Sequence, residues 1–346
     1  MDSEKSSLDH RSHAEEGARA LSLLREGRRF LLTGHVRPDG DCIGAQAALG
    51  RVLESLGKEV WIVNPDPLQE QFDYLAREVR FRVYRGGALP AHDVAVFLDF
   101  CELARTGALE APLRAAPSKK LVIDHHLFHG APWWDAAYVD ERAAATGLLV
   151  RRIARSLGVP LDRVAASGVF TSLVTDTGWF KYSNTDEEAF AVASELVACG
   201  VEPWRIYAAI YQRNPRQQPL AVARALEHLE YHAGGRLALI ALPLAAAGDA
   251  ELDDSDEVLD LVRSVAAVEV VLFLREQKEG GVKLSARSKG AFDVNRLARV
   301  FGGGGHAKAS GATFEGSLAS ARAALLEAAL EQLGAQGEAA QGTPRA

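Results

Sequence analysis

The chain has 346 residues, 48% hydrophobic and 25% charged, with a net charge of −7. That length suits two domains of roughly 100–200 residues each, with enough apolar matter for real cores. The acidic balance and the lack of any Lys/Arg block exclude the basic stripe that holds long nucleic acids, so a nucleic-acid substrate is expected to be short.

No run approaches the ~18 consecutive apolar residues of a membrane span. The polar N-terminus MDSEKSSLDHRSH lacks a signal-peptide core. Cys42, Cys101 and Cys199 are scattered and form no CxxC pair, which points to a reducing cytoplasm.

In chain order, residues 1–13 read as a flexible tail and 14–27 as a helix. RFLLTG (29–34) is a strand, followed by a loop holding Pro38 and Gly40. A helix runs from about 42 to 56, closed by Gly57. Further strands are expected at EVWIV (59–63), DVAVFLD (93–99) and KLVID (120–124). Helices are expected near 101–110, 142–157, 160–173 and 185–199. Strands alternating with helices predict an α/β fold: a mostly parallel sheet with helices on both faces. This catalytic domain is expected to span 14–200.

Gly200, Pro203, Pro215 and Pro219 mark a linker over 201–232 with a helical turn or two. A smaller α/β domain follows over 233–333. It has strands at 236–243, 268–276 and 282–288, an acidic run at 251–260 leading into a helix, and helices near 293–300 and 317–333. Residues 334–346 read as a disordered tail.

Acids and imidazoles gather where this fold binds ligands, beyond the carboxyl ends of strands. The first strand runs into His35, Asp39 and Asp41; the third ends at Asp99; the fourth ends at Asp124-His125-His126; FTSLVTDTG carries Asp176 after an apolar run. Any one of these acids alone is more simply a turn or helix cap. Their joint occurrence is not. His10, His13, His92, His129, His228 and His232 lack such company and read as ordinary surface or core residues. Imidazole with several carboxylates suits a hard-to-borderline divalent ion such as Mn²⁺, soft thiolate ligands being absent from the pattern. A bridging carboxylate leaves room for two ions, the usual apparatus for hydrolysing a phosphate ester.

The second signal is Gly302–Gly305 followed by His306. Glycines let backbone N–H groups approach an anion, and His306, Lys308 and Arg287 could add charge to the same phosphate.

These segments resemble a known family. Thr33-Gly34-His35-Val36-Arg37-Pro38-Asp39-Gly40-Asp41, the triplet Asp124-His125-His126, and Val174-Thr175-Asp176-Thr177-Gly178 with Lys181-Tyr182-Ser183-Asn184-Thr185 resemble the motifs of DHH phosphoesterases. Gly302–His306 resembles the GGGH motif of the DHH-associated C-terminal domain. The resemblance covers about residues 15–333. It implies that His35, Asp39 and Asp99 hold one metal, and that Asp41, Asp99, His125 and Asp176 hold the other, with Asp99 bridging. Asp124 would orient a histidine ligand, and His126 would face the scissile phosphate. Arg287, Gly303, Gly304, Gly305, His306 and Lys308 would bind substrate.

The implied cofactors are two divalent ions, Mn²⁺ first, with Mg²⁺ or Co²⁺ able to use the same ligands. The compact length and the GGGH domain make the chain similar to the standalone nanoRNase/pAp phosphatase group. It would cleave short 5′-phosphorylated oligonucleotides and dephosphorylate 3′-phosphoadenosine 5′-phosphate (pAp). Phosphodiesterase activity on cyclic-di-AMP or linear dinucleotides is the alternative, and a non-catalytic nucleotide-binding protein the third reading. Neither long nucleic acid nor membrane is expected as a partner; a homodimer is left open. Thr146-Gly147 followed by Leu148, rather than Glu, and Lys181 in place of Arg depart from the family pattern without touching a ligand.

Overall fold

Short apolar runs separated by helical stretches build a parallel sheet here because both of its faces are buried. The structure, a computed structural model, describes residues 15–126, 128, 130–247 and 256–341. The expected tail at 1–13, His129, residues 251–255 of the acidic run and residues 342–346 lie outside them. The chain divides into two units, Met1–Arg213 and Asn214–Ala346.

The first unit opens with helix α1 (15–26). Its sheet contains β1 (Arg29–Thr33), β2 (Glu59–Asn64), β3 (Phe81–Val83), β4 (Val94–Leu98), β5 (Lys119–Asp124) and β6 (Ala136–Val139), ordered β3-β2-β1-β4-β5-β6 with every pair parallel. Along the strands, Phe30, Leu32, Val96, Leu98, Leu121 and Ile123 join one core, and Leu31, Ala95, Phe97 and Val122 join another. Burying each large side chain stabilises the fold by about 1.5–3 kcal/mol.

Helix α2 (Gly40–Ser55) follows β1. Helices α3 (Thr146–Ser156), α4 (Arg163–Asp176), α5 (Glu187–Ala198) and α6 (Pro203–Tyr211) follow β6. The opposite face is closed by helical turns at Leu103–Leu109 and Glu110–Ala115 and by the Trp133–Trp134 loop. The helix expected at 101–110 is therefore a 3₁₀ segment, interrupted where Gly107 takes φ 54°. The edge strands β3 and β6 have only three and four residues, too few for periodicity to reveal.

The second unit contains α7 (Gln218–Leu226), β7 (Leu229–His232), β8 (Leu237–Leu242), α8 (Asp256–Arg263), β9 (Val270–Glu276), β10 (Val282–Ser288), α9 (Val294–Val300), β11 (Gly304–His306), β12 (Ala309–Phe314) and α10 (Leu318–Gln341). Its mixed sheet runs β11-β12-β10-β9-β8-β7, with β8 and β9 parallel.

One expectation is corrected. The stretch 201–232 is not a linker: α6 belongs to the first unit and α7 and β7 to the second. Pro203 and Pro219 fall in the first turns of α6 and α7, where a missing N–H costs nothing, rather than breaking helices. Residues 334–341, expected in the tail, fall within the bounds of α10.

Candidate metal centre

The strand order reverses between β1 and β4, where a crevice forms at the carboxyl ends of an open parallel sheet. His35 and Asp39 leave β1, and Asp99 leaves the adjacent β4. Asp99 takes φ 73°, an unusual conformation for a residue with a side chain, and its N–H donates to Ile123 O (3.0 Å).

Close helix packing supplies the next ligands. Gly44 of α2 and Gly168 of α4 let the two backbones touch: a Cβ on Gly168 would stand 2.6 Å from Gly44 O, and one on Gly44 would stand 2.7 Å from Ser172 N. The contact brings Asp41, in the first turn of α2, beside Ser172 of α4, whose hydroxyl donates to Asp41 Oδ1. Asp41 also accepts from the first amides of α3, Thr146 N (2.8 Å) and Gly147 N (3.3 Å). Asp39 caps α2, accepting from Asp41 N and Cys42 N (both 3.1 Å), so its turn-forming and site-facing roles coexist.

Asp99 turns one oxygen toward each of two imidazoles. His35 Nε2 is 3.5 Å from Asp99 Oδ2 and 3.8 Å from Asp39 Oδ2. His125 Nε2 is 3.7 Å from Asp99 Oδ1, 3.4 Å from Asp41 Oδ2 and 3.8 Å from Asp176 Oδ2. Ligand atoms at about 2.0–2.2 Å from one ion stand roughly 3–3.5 Å apart, close to these separations. Each ring donates from Nδ1 to a carbonyl, His35 to Val36 O and His125 to Ala143 O (both 2.9 Å), because a carbonyl can only accept. Each Nε2 then faces carboxylate oxygens. The buried His125 Nε2 has no hydrogen-bond partner.

The charge balance points the same way. Burial, reinforced by the charges of Asp41 and Asp39, pushes the Asp99 carboxyl well above its ordinary range. Burial also raises Asp41, and burial plus the Asp41 charge lifts Asp176 to about 6. Like-charged, desolvated oxygens facing an unpartnered nitrogen fit a site built for cations, which supply the missing charge.

The DHH triplet divides its work. Asp124 Oδ1 accepts from His125 N (2.8 Å), His126 N (3.2 Å) and His126 Nδ1 (2.8 Å). Burial alone would raise Asp124, but the hydrogen bond and charge of His126 hold it below its usual range; the same bond raises His126. The His126 side chain is half exposed.

The second group of predicted residues lies on the other unit, on one rung of its sheet. Ala309 of β12 pairs with His306 on one side and with Arg287 on the other. Strands are ~4.8 Å apart, so those two backbones stand about 10 Å apart, side chains toward the same face. The tetraglycine is mostly structural. Gly302 takes φ 72° after α9. A Cβ on Gly303 would strike Gly311 O, and one on Gly305 would lie 2.5 Å from Ala309 O. Gly302 and Gly304 have open space where a Cβ would go, and of these two Gly304 needs no left-handed backbone. Lys308 Nζ donates to Gly290 O and Phe292 O, tying down the loop before α9.

Sequence reasoning missed Thr146, whose hydroxyl donates to Asp99 Oδ1 (3.0 Å), and Asn184, whose amide reaches Asp176 Oδ2 (3.3 Å). Both Thr146 and Asn184 lay in quoted stretches of the family pattern without a role. A sulfur atom, left out of the expected donor set, lies near it. Helix α2 turns Cys42 inward, one residue beyond Asp41, so that His35, Cys42 and Asp99 offer ligand atoms within 4.8 Å of one another.

The comparisons agree with this architecture. The description "DHH family, N-terminal domain" matches residues 29–201, and "DHHA1 domain" matches 238–335. The chain is 35% identical over 311 residues to the bifunctional oligoribonuclease and PAP phosphatase NrnA of Thermus thermophilus, covering 89% of this chain and 91% of that one. It is 24% identical over 290 residues to the protein of the same name from Bacillus subtilis, covering 82% and 88%. Among solved structures, an exopolyphosphatase-related protein from Bacteroides fragilis superposes with a TM-score of 0.80 at 27% identity, covering 93% of this chain and 96% of that one.

Proposed function

This chain belongs to the DHH family, and from that premise we propose that it hydrolyses short 5′-phosphorylated oligonucleotides to mononucleotides and removes a phosphate from pAp. Family membership makes it a hydrolase acting on phosphate esters. The observation that carries the reading is Asp99, which presents its two oxygens to two imidazoles within 3.5–3.7 Å. That arrangement supports a pair of cations sharing one carboxylate, with His35 and Asp39 on one side and Asp41, His125 and Asp176 on the other. The nitrogen and oxygen donors favour Mn²⁺, with Mg²⁺ or Co²⁺ as substitutes. When bound, such a pair acidifies a water and neutralises charge on the phosphoryl oxygens.

The protein's own groups do the rest. Thr146 and the amides opening α3 fix the carboxylate rotamers before substrate arrives, so little reorganisation is needed during reaction. Asp124 accepts the Nδ1 proton of His126 and favours its imidazolium, which supports His126 as the donor facing the departing oxygen. Among the described residues no helix is long and apolar enough to cross a membrane. The chain's negative charge disfavours a long polyanion, whose binding needs many phosphate contacts. On the second unit, Arg287, His306 and the exposed Gly304 amide are proposed as a phosphate-binding group in its own right.

The test is hydrolysis of pApA, pAp, cyclic-di-AMP and a long single-stranded RNA in Mn²⁺, with Asp99→Ala as control. Turnover of pApA and pAp that greatly exceeds that of long RNA, and that falls at least about 10³-fold in the variant, is expected. Cyclic-di-AMP as the preferred substrate would replace the nanoRNase reading with the cyclic-dinucleotide one, and activity surviving in Asp99→Ala would sink both.

A further inference from the structure

Beside the carboxylates lies one buried nucleophilic group that the hydrolytic reading does not use. Cys42 is fully buried in the first turn of α2, and Gly34 at the end of β1 makes room for it, since a Cβ there would collide with the sulfur. Its thiol donates to Leu98 O at 3.6 Å, and Gln46 Nε2 donates to the sulfur at 3.5 Å. His35 and Asp99, 4% and 2% exposed, offer nitrogen and oxygen atoms within 4.8 Å of the sulfur and of one another.

Donor softness decides which ion can use such a set. Mn²⁺ and Mg²⁺ favour oxygen and nitrogen and leave a thiol alone. Zn²⁺ and Cd²⁺ favour thiolate with imidazole in a tetrahedral arrangement. We propose that Cys42 is a ligand for thiophilic divalent cations at the His35–Asp99 position, so that Zn²⁺ or Cd²⁺ enters the place of the working ion and is retained there through sulfur. The inference rests on the reading of this cluster as a metal centre.

On entry the Sγ–H proton leaves to solvent, a metal–sulfur bond forms, and no electron is transferred. The thiol gives up its bond to Leu98 O, while the Gln46 amide remains to donate to the thiolate. Catalysis and ion capture thus diverge at a single atom: a hard ion is held by groups it shares with the hydrolytic site, and a soft ion gains one bond more.

The test uses the full chain, stripped of metal and titrated with Cd²⁺ while the ultraviolet thiolate-to-Cd²⁺ charge-transfer band is followed. A band saturating at one sulfur-ligated ion per chain is expected, unchanged in Cys101→Ser and Cys199→Ser and lost in Cys42→Ser. Cadmium affinity should fall at least about 100-fold in Cys42→Ser, and Mn²⁺ affinity, read by electron paramagnetic resonance, by less than about tenfold. X-ray absorption on the unmutated protein with one equivalent of Zn²⁺ removes any dependence on how the variants fold; a sulfur scatterer at about 2.3 Å is expected. Zinc bound with nitrogen and oxygen alone, or a cadmium band that survives in Cys42→Ser, overturns the proposal while leaving the metal centre intact. Failure of the unmutated protein to bind either Mn²⁺ or Cd²⁺ overturns the metal-centre reading and this inference with it.

Discussion

At the carboxyl ends of β1, β4 and β5, functional side chains are buried and tied: Asp41 to Ser172 and two amides, Asp99 to Thr146, His125 to Ala143 O, Asp124 to its own histidines. On β11 of the other unit, Gly304, Gly305 and His306 are exposed. The contrast follows from what each region would hold. Cations need several charged atoms at fixed separations, which only a desolvated, over-determined framework supplies. An anion met by backbone N–H groups needs open access, and side chains there would stand in its way. Rigidity should therefore matter most on the first side and approach on the second.

The largest effect should come from separating the helices that frame the buried side. Gly44→Val puts a branched side chain where even a Cβ meets the Gly168 carbonyl and Ser172 N. Overpacking of this kind costs about 1–3 kcal/mol or more. Because α2 and α4 carry Asp41, Ser172 and Asp176, metal affinity should fall along with the melting temperature, measured by calorimetry with and without Mn²⁺. Lost stability with unchanged metal affinity would show that the helix contact does not set the ligand geometry.

Next comes Thr146→Val, which keeps the shape and removes the hydroxyl that donates to Asp99. Loss of such a supporting bond typically weakens metal binding about 10–100-fold. Mn²⁺ titration should show that loss with the melting temperature of the metal-free protein little changed; an equal drop in both would make Thr146 merely structural.

The two regions also differed in what the sequence disclosed. The buried side was legible because charged residues at the ends of apolar strands are costly without a task, and because three strands delivered them to one edge. What supports them was not. Thr146 lies 47 residues from Asp99 in sequence, and Gly44 and Gly168 meet across two helices, so nothing local shows what either touches. Cys42 was visible but unassigned, since only the turn of α2 shows where its sulfur points. On the exposed side the glycine run carries a second demand: three of its four glycines answer to backbone conformation or the close passage of β12, which a phosphate-binding reading does not separate out.

A third effect concerns protons and cations competing for the buried oxygens. Asp176 is raised to about 6, and Asp41 and Asp99 are raised as well. A carboxyl that binds its proton more tightly when folded stabilises the metal-free protein below its unfolded pKa, and that contribution is lost as pH rises through the folded value. Cations replace those protons. The rise in melting temperature on adding Mn²⁺ should therefore be small near pH 5 and larger near pH 7.5. A shift that does not grow with pH would mean these carboxylates are not the ligands.

The smallest effect sharpens the exposed side. Gly303→Ala sets a Cβ against Gly311 O and should destabilise the second unit, by about 1–3 kcal/mol. Gly304→Ala meets nothing within 4 Å and requires no left-handed backbone, so stability should hold or rise by about 0.4–1 kcal/mol as the unfolded chain loses freedom. If the Gly304 amide meets a substrate phosphate, the added methyl blocks its approach. KM for pAp should then rise several-fold with kcat nearly unchanged, the pattern of lost uniform binding. Steady-state kinetics of this one variant separate the two meanings of the glycine run. An unchanged KM would leave all four glycines to the fold and move the anion-holding role to Arg287 and His306 alone.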